Sequence, residues 1–253
     1  MTLHVESLGA GAPLVLLHGW GFHSAVWHEF ARILSQRYRV QLVDLPGHGH
    51  SRDASFGELD ALADEVSALI PDGSLVCGWS LGGIVAQKLA SRTPSKVRAL
   101  ALVGTTPCFV ERKGWEHGVA AETLDAFARE LHDDPSSALE RFVRLNAFDT
   151  PGARSTVRSV SRRLAERPYP SGQALDAGLA MLRATDLRGD SGATAVKTVV
   201  IHGALDRVVP VGAARWLAGA MPRARLAELP RSAHLPFVTD RDAAIDAVTS
   251  LDG

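Results

Sequence analysis

The chain has 253 residues, 27 basic against 28 acidic side chains, and a formal net charge of -1. That length buries a sizeable core in one large α/β domain without staples, and the charge balance excludes bulk attraction to nucleic acid or an anionic membrane. Cys77 and Cys108 each sit in or beside an apolar run and read as small core residues of a reduced protein; with no basic leader and no membrane-length apolar stretch, a soluble cytoplasmic monomer is expected.

In chain order, the first apolar run is LVLL (14–17), followed by His18-Gly19-Trp20-Gly21. A helix is predicted over 26–36, a strand over 40–44, a helix over 58–70 and a strand over 75–79. Another helix, 81–92, and a strand, 99–104, complete the first half. Short, near-continuous apolar strands alternating with amphipathic helices predict an α/β fold: a mostly parallel sheet with helices on both faces. The alternation stops between residues 110 and 186. Four helical segments stand there in succession, AAETLDAFARELHDD, SSALERFVRLNAF, ARSTVRSVSRRLAER and GQALDAGLAMLRA, separated by Pro and Gly signals. The expectation is a helical cap over 110–186 inserted into a core of 1–109 and 187–253. Strands return at 198–203 and 225–229, with a last helix from about 240.

One serine interrupts this pattern. Gly78-Trp79-Ser80-Leu81-Gly82 matches Gly-x-Ser-x-Gly, a sharp strand-to-helix turn in which small flanking residues leave room for a strained, exposed nucleophile. A base and its orienting acid then follow after late strands: Asp206 in TVVIHGALDRVVP and His234 in ELPRSAHLPFV. Both loops fall at the carboxyl ends of strands, where open α/β sheets place their sites. The oxyanion needs two N–H donors, for which Leu81, the residue after the serine, and Trp20 are the candidates. Trp20 and Trp79 offer flat apolar surface to a pocket. His18, His48 and His50 read as loop-shaping groups, since no third ligand stands at metal-site spacing.

The segments LLHGWG, DLPGHGHS, GWSLGG, LDRVVP and AHLPF, in this order, resemble the α/β-hydrolase family over essentially the whole chain. Within it, TPCF (106–109), LERFVRLN (139–146) and TDLRG (185–189) are similar to the carboxylesterases of biotin synthesis, which cleave a methyl ester on an acyl chain tethered to acyl carrier protein. The resemblance implies an α/β-hydrolase fold and a cofactor-free serine esterase with Ser80, Asp206 and His234 as triad and Trp20 and Leu81 as oxyanion donors. It also implies a cap wall of Phe142, Val143, Arg144, Leu145 and Asn146 against the acyl chain, although Arg144 and Asn146 replace the small residue and glutamine expected there. Arg141, Arg154 and Arg158 match positions that bind the acidic carrier.

Charge within the cap bears on that partner. Residues 111–140 hold three basic against eight acidic side chains, whereas 141–167 hold seven arginines against Asp149 and Glu166. Arg154, Arg158 and Arg162 recur every four residues and form one stripe on a helix. Two readings fit the stripe: a solvated face that balances the acidic half, and a surface that steers an acidic carrier. Serine at the elbow argues against haloalkane dehalogenases and epoxide hydrolases, which share the architecture but use aspartate there. A broad short-chain esterase, an enol-lactonase and a ligand-binding receptor on the same fold remain open.

Overall fold

The computed structural model describes residues 3–252. The strands are β1 (Val5–Leu8), β2 (Ala12–Leu17), β3 (Tyr38–Val43), β4 (Ser74–Trp79), β5 (Val97–Val103), β6 (Lys197–Gly203) and β7 (Ala224–Leu229). Among the described residues they form one sheet in the order β1-β3-β2-β4-β5-β6-β7, parallel throughout except for β1, which runs antiparallel to β3. Alternate residues of each strand feed opposite faces. Val15 and Leu17 of β2 enter one apolar core and Leu14 and Leu16 the other.

Helices α1 (His28–Leu34), α2 (Leu59–Leu69) and α3 (Leu81–Arg92) connect the first strands. Between β5 and β6 lie α4 (Ala121–Asp133), α5 (Pro135–Asn146), α6 (Ala153–Leu164), α7 (Gly172–Ala184) and the short α8 (Arg188–Ser191). Then come α9 (Val211–Ala220), α10 (Pro236–Thr239) and α11 (Arg241–Thr249). The cap helices start where the sequence supplies caps. The Asp134 side chain accepts the Ser137 N–H ahead of α5, and Ser171 accepts the Ala174 N–H ahead of α7. α6 turns Val160 and Leu164 inward and leaves its other faces polar, so it covers the core as an amphipathic layer.

Two departures from the sequence reading stand out. β1 is a strand that VESL does not announce: it is short, on the sheet edge and only half-buried, so no apolar run marks it. The predicted helix over 26–36 divides into a 3₁₀ turn, Ser24–Trp27, and α1.

Strand order matters most around β2. It lies between β3 and β4, where the order of connection reverses, and Leu17 pairs in register with Gly78. The loops leaving β2 and β4, carrying Gly19-Trp20 and Ser80, are therefore side by side at the carboxyl edge.

Candidate active site

Ser80 has φ 54° and ψ -118°, a backbone state that L residues avoid. The surroundings hold it there. Its N–H donates to the Val103 carbonyl at 2.9 Å, its carbonyl accepts the Thr105 hydroxyl at 2.7 Å, and the Gly83 and Ile84 N–H groups donate to the same carbonyl. The turn also demands backbone contact that no side chain permits: a Cβ at Gly78 would lie 2.2 Å from the Gly82 oxygen, and one at Gly82 would lie 2.4 Å from the Leu17 oxygen.

Asp206 and His234 meet although 28 residues apart: His234 Nδ1–H donates to Asp206 Oδ2 at 2.7 Å, with both side chains fully buried. Asp206 Oδ1 accepts the N–H groups of Val208 and Val209 at 2.8 and 2.9 Å. Burial pushes this carboxyl upward in pKa, but the His234 and His202 imidazoles outweigh it and hold it well below the usual carboxylate range. His234 is steadied from behind. Its N–H donates to the Asn146 carbonyl at 3.1 Å and its carbonyl accepts the Trp79 indole N–H at 2.8 Å. With the proton on Nδ1, Nε2 is a bare acceptor, buried and, among the described residues, without a hydrogen-bond partner; Ser80 and His234 are not hydrogen-bonded to each other. Ser80 itself is 8% exposed.

The Gly19-Trp20 loop is tied down by His18. Nε2 of that ring accepts the Leu45 N–H at 2.9 Å, so the proton sits on Nδ1 and is donated to the Gly19 carbonyl, also at 2.9 Å. Burial and the neighbouring His48 push the His18 pKa down to about 3, which keeps it neutral. The Trp20 indole N–H donates to the Leu175 carbonyl of α7 at 2.9 Å and its ring packs edge-on against Phe127 and Phe142. Among the described residues, neither the Trp20 nor the Leu81 backbone N–H is matched to a protein acceptor, so both donors are available to a developing oxyanion. On the far side of the Phe127 and Phe142 rings that Trp20 touches, between α4, α5 and the Asp206 loop, opens an apolar groove of about 690 Å³ walled by Phe109, Leu124, Phe127, Phe142, Leu145 and Val208.

Residues 12–240 match the model of a family described by the α/β-hydrolase fold. This chain belongs to the α/β-hydrolase family. Proteins named pimeloyl-[acyl-carrier protein] methyl ester esterase are similar to it: one from Nitrosomonas europaea is 39% identical, covering 94% of each chain, and one from Chromobacterium violaceum is 40% identical, covering 98% of this chain and 97% of that one. An esterase from Exiguobacterium antarcticum superposes with a TM-score of 0.90 at 26% identity, covering 99% of this chain and 96% of that one. An enol-lactonase from Burkholderia xenovorans, at a TM-score of 0.86 and 23% identity over 98% and 95% of the two chains, shares the fold.

In this hydrolase the predicted acyl wall divides. Phe142 and Leu145 line the groove, joined by Arg141, which pairs with Glu130 at its rim. Val143 is buried on the opposite side and, with Arg144, borders a separate small cavity toward α6, while Asn146 is fully buried and donates to the Phe142 carbonyl at 2.7 Å. Five consecutive residues of a helix turn through more than a full circle, so they cannot face one groove. Trp79 likewise lies away from it, packed among Phe22, Trp27 and Phe237 in the second core, because strand alternation points it to the other face.

The arginines of the cap also divide. Arg167 turns inward to Asp44, Glu6 and the Ser24 hydroxyl, Arg163 pairs with Glu29 and Glu166, and Arg144 with Glu140. Arg154, Arg158 and Arg162 stay exposed on α6 and, among the described residues, make no ion pair. Their helix does not line the groove. Arg167, buried against Asp44, and His202, 3.3 Å from Asp206, are residues that sequence reasoning passes over. His202 had a signal, a histidine four residues before Asp206 at the end of the apolar run 199–201; Arg167 had none beyond its charge.

Proposed function

We propose that this chain is a serine carboxylesterase that hydrolyses the methyl ester of pimeloyl-[acyl-carrier protein], the step that frees the carrier-bound acid for biotin synthesis. The observation that carries the reading is the polarised His234, whose Nδ1–H is committed to Asp206 while Nε2 is left bare on the same carboxyl-end rim as the strained Ser80 turn. Relatives bearing that esterase name along nearly the full chain support the substrate. The apolar groove beside the site suits a chain of methylenes, and residues 110–186 act as the cap that selects it.

Ser80 Oγ attacks the ester carbonyl as Nε2 of His234 takes its proton, with Asp206 holding the tautomer and stabilising the imidazolium. The N–H groups of Leu81 and Trp20 receive the oxyanion. Methanol leaves with the proton from His234, and a water, deprotonated by the same nitrogen, releases the acid and Ser80. The triad side chains and the two backbone N–H groups carry the chemistry, and Arg154 and Arg158 receive the acidic carrier outside the groove, whereas Arg141, expected to join them, lines the groove and is tied to Glu130.

Ser80→Ala, with its fold unchanged by circular dichroism, is expected to lose turnover of the carrier-bound ester and of p-nitrophenyl butyrate, together with fluorophosphonate labelling. Retained turnover sinks the assignment. Rescue of a biotin auxotroph lacking its own esterase tests the substrate, and preference for the free ester without rescue favours a broad short-chain esterase.

A further inference from the structure

His202 ends the apolar run of β6 four residues before Asp206 and is completely buried. Its Nε2 lies 2.9 Å from the Val209 carbonyl oxygen and 3.3 Å from Asp206 Oδ2. Both neighbours are acceptors, so the ring proton sits on Nε2 and Nδ1 carries a lone pair, which among the described residues has no hydrogen-bond partner. Val209 is thereby gripped at both ends: its carbonyl by His202, its N–H by Asp206 Oδ1 at 2.9 Å. The same Oδ2 that accepts from His234 at 2.7 Å is thus shared with a second imidazole.

Packing does not account for this residue. Val199, Val200 and Ile201 fill the strand with apolar side chains, and a buried ring nitrogen left without a partner costs stability. The charged groups around the ring are few. Glu228 pairs with it in register on β7 and is tied to Arg215 of α9 at 2.6 and 2.9 Å; Asp206 and, through it, His234 face it from the loops.

We propose that His202 is a positioning residue of the hydrolytic site, fixing the 206–209 loop through Val209 and dividing the charge of Asp206 Oδ2 with His234. This rests on the triad reading above. With His202 in place, the carboxylate has one rotamer and spends part of its charge on the Nε2–H dipole. Without it, the loop loosens and Oδ2 serves His234 alone, which strengthens the hold on the imidazolium.

The test uses p-nitrophenyl butyrate hydrolysis across pH with four variants of the full chain. In His202→Asn the amide falls short of Val209 and Asp206, whereas in His202→Gln it reaches the place of Nε2. His202→Leu suits the apolar end of β6 and serves where the asparagine variant does not fold. The asparagine and leucine variants are expected to lose about 10- to 100-fold in kcat with KM within about twofold, and the acid limb of kcat/KM moves to higher pH. His202→Gln restores most of kcat and the original limb. Wild-type kcat and limb in His202→Asn and His202→Leu overturn the proposal, as does an equal fall in all three His202 variants that follows their loss of thermal stability. Ser80→Ala separates the two readings: turnover surviving there removes the triad itself, while an inactive Ser80→Ala beside an unimpaired His202→Asn removes only the role of His202.

Discussion

Replacing Arg167 with methionine keeps the length of the stem and removes the charge from a buried cluster that joins the end of α6 to the core. Nη1 lies 2.8 Å from Asp44 Oδ2 and 2.7 Å from Ser24 Oγ, and Nη2 lies 2.5 Å from Glu6 Oε2, with the Arg167 side chain 6% exposed and that of Asp44 0%. The variant leaves Asp44 charged and buried. Breaking such a pair costs about 3–5 kcal/mol, and the N–H groups of Ser24 and His50, which still donate to Asp44, favour the lower end, about 3 kcal/mol. For a chain of this size that corresponds to a fall in Tm of about 6–12 °C, read by calorimetry near pH 7. Asp44→Asn combined with Arg167→Met removes the stranded charge and is expected to lose less than Arg167→Met alone. Acid supplies the sign. Burial raises the Asp44 carboxyl, but the His18 imidazole and the Ser24 and His50 N–H groups outweigh it and bring it down to about 2. Its contribution is therefore present above the unfolded value, about 3.9, and is lost as pH falls from there toward 2, so the wild-type Tm falls in that window. A variant Tm within about 2 °C of wild type at pH 7, or a double variant that loses the sum of the two singles, refutes the latch.

Two further outcomes follow from other parts of the site. Gly82→Ala places a methyl 2.4 Å from the Leu17 oxygen and 2.6 Å from the His18 oxygen, which forces α3 away from the Gly19-Trp20 loop; kcat on p-nitrophenyl butyrate should fall about 100-fold or more, while Gly172→Ala, with open space around it, should match wild type. Reversing Arg154 and Arg158 to Glu is expected to lower kcat/KM on the carrier-bound ester about tenfold, more at low salt, and to leave the free ester untouched; equal loss on both substrates, or on neither, makes the stripe plain surface.

What the sequence makes legible is local or follows a strand. The Ser80 turn reads directly because its glycines, strand and helix are contiguous, and α3 begins at Leu81 as its apolar spacing requires. Asp206 and His234 are legible because each stands just after a late strand, and parallel strands deliver their following loops to one edge. The rotation of α5 is a different matter. Its apolar residues announce a buried face, but both sides of the helix meet apolar surroundings, so pattern alone cannot say that Phe142 and Leu145 look into the groove and Val143 away from it. Long-range charge pairing is less legible still. Arg167 is one of seven arginines in a basic stretch; spacing sets Arg154, Arg158 and Arg162 apart as one stripe, but nothing in the stretch says that Arg167 turns inward.

That pairing changes what the basic half of the cap can do. Arg167 and Arg163 hold the cap to the core through Asp44, Glu6 and Glu29, and Arg141 and Arg144 hold neighbouring cap carboxylates. The charge excess seen along the sequence is therefore mostly consumed inside the molecule, and the cation available to a partner narrows to Arg154, Arg158 and Arg162. These stand on α6, outside the groove wall. A partner held by that stripe sits outside the pocket and has to send its ester inward on an arm, whereas a free ester bypasses the stripe altogether. Dependence on the stripe is therefore a property of tethered substrates only, which is why the two substrates must be compared on the same charge-reversed variant.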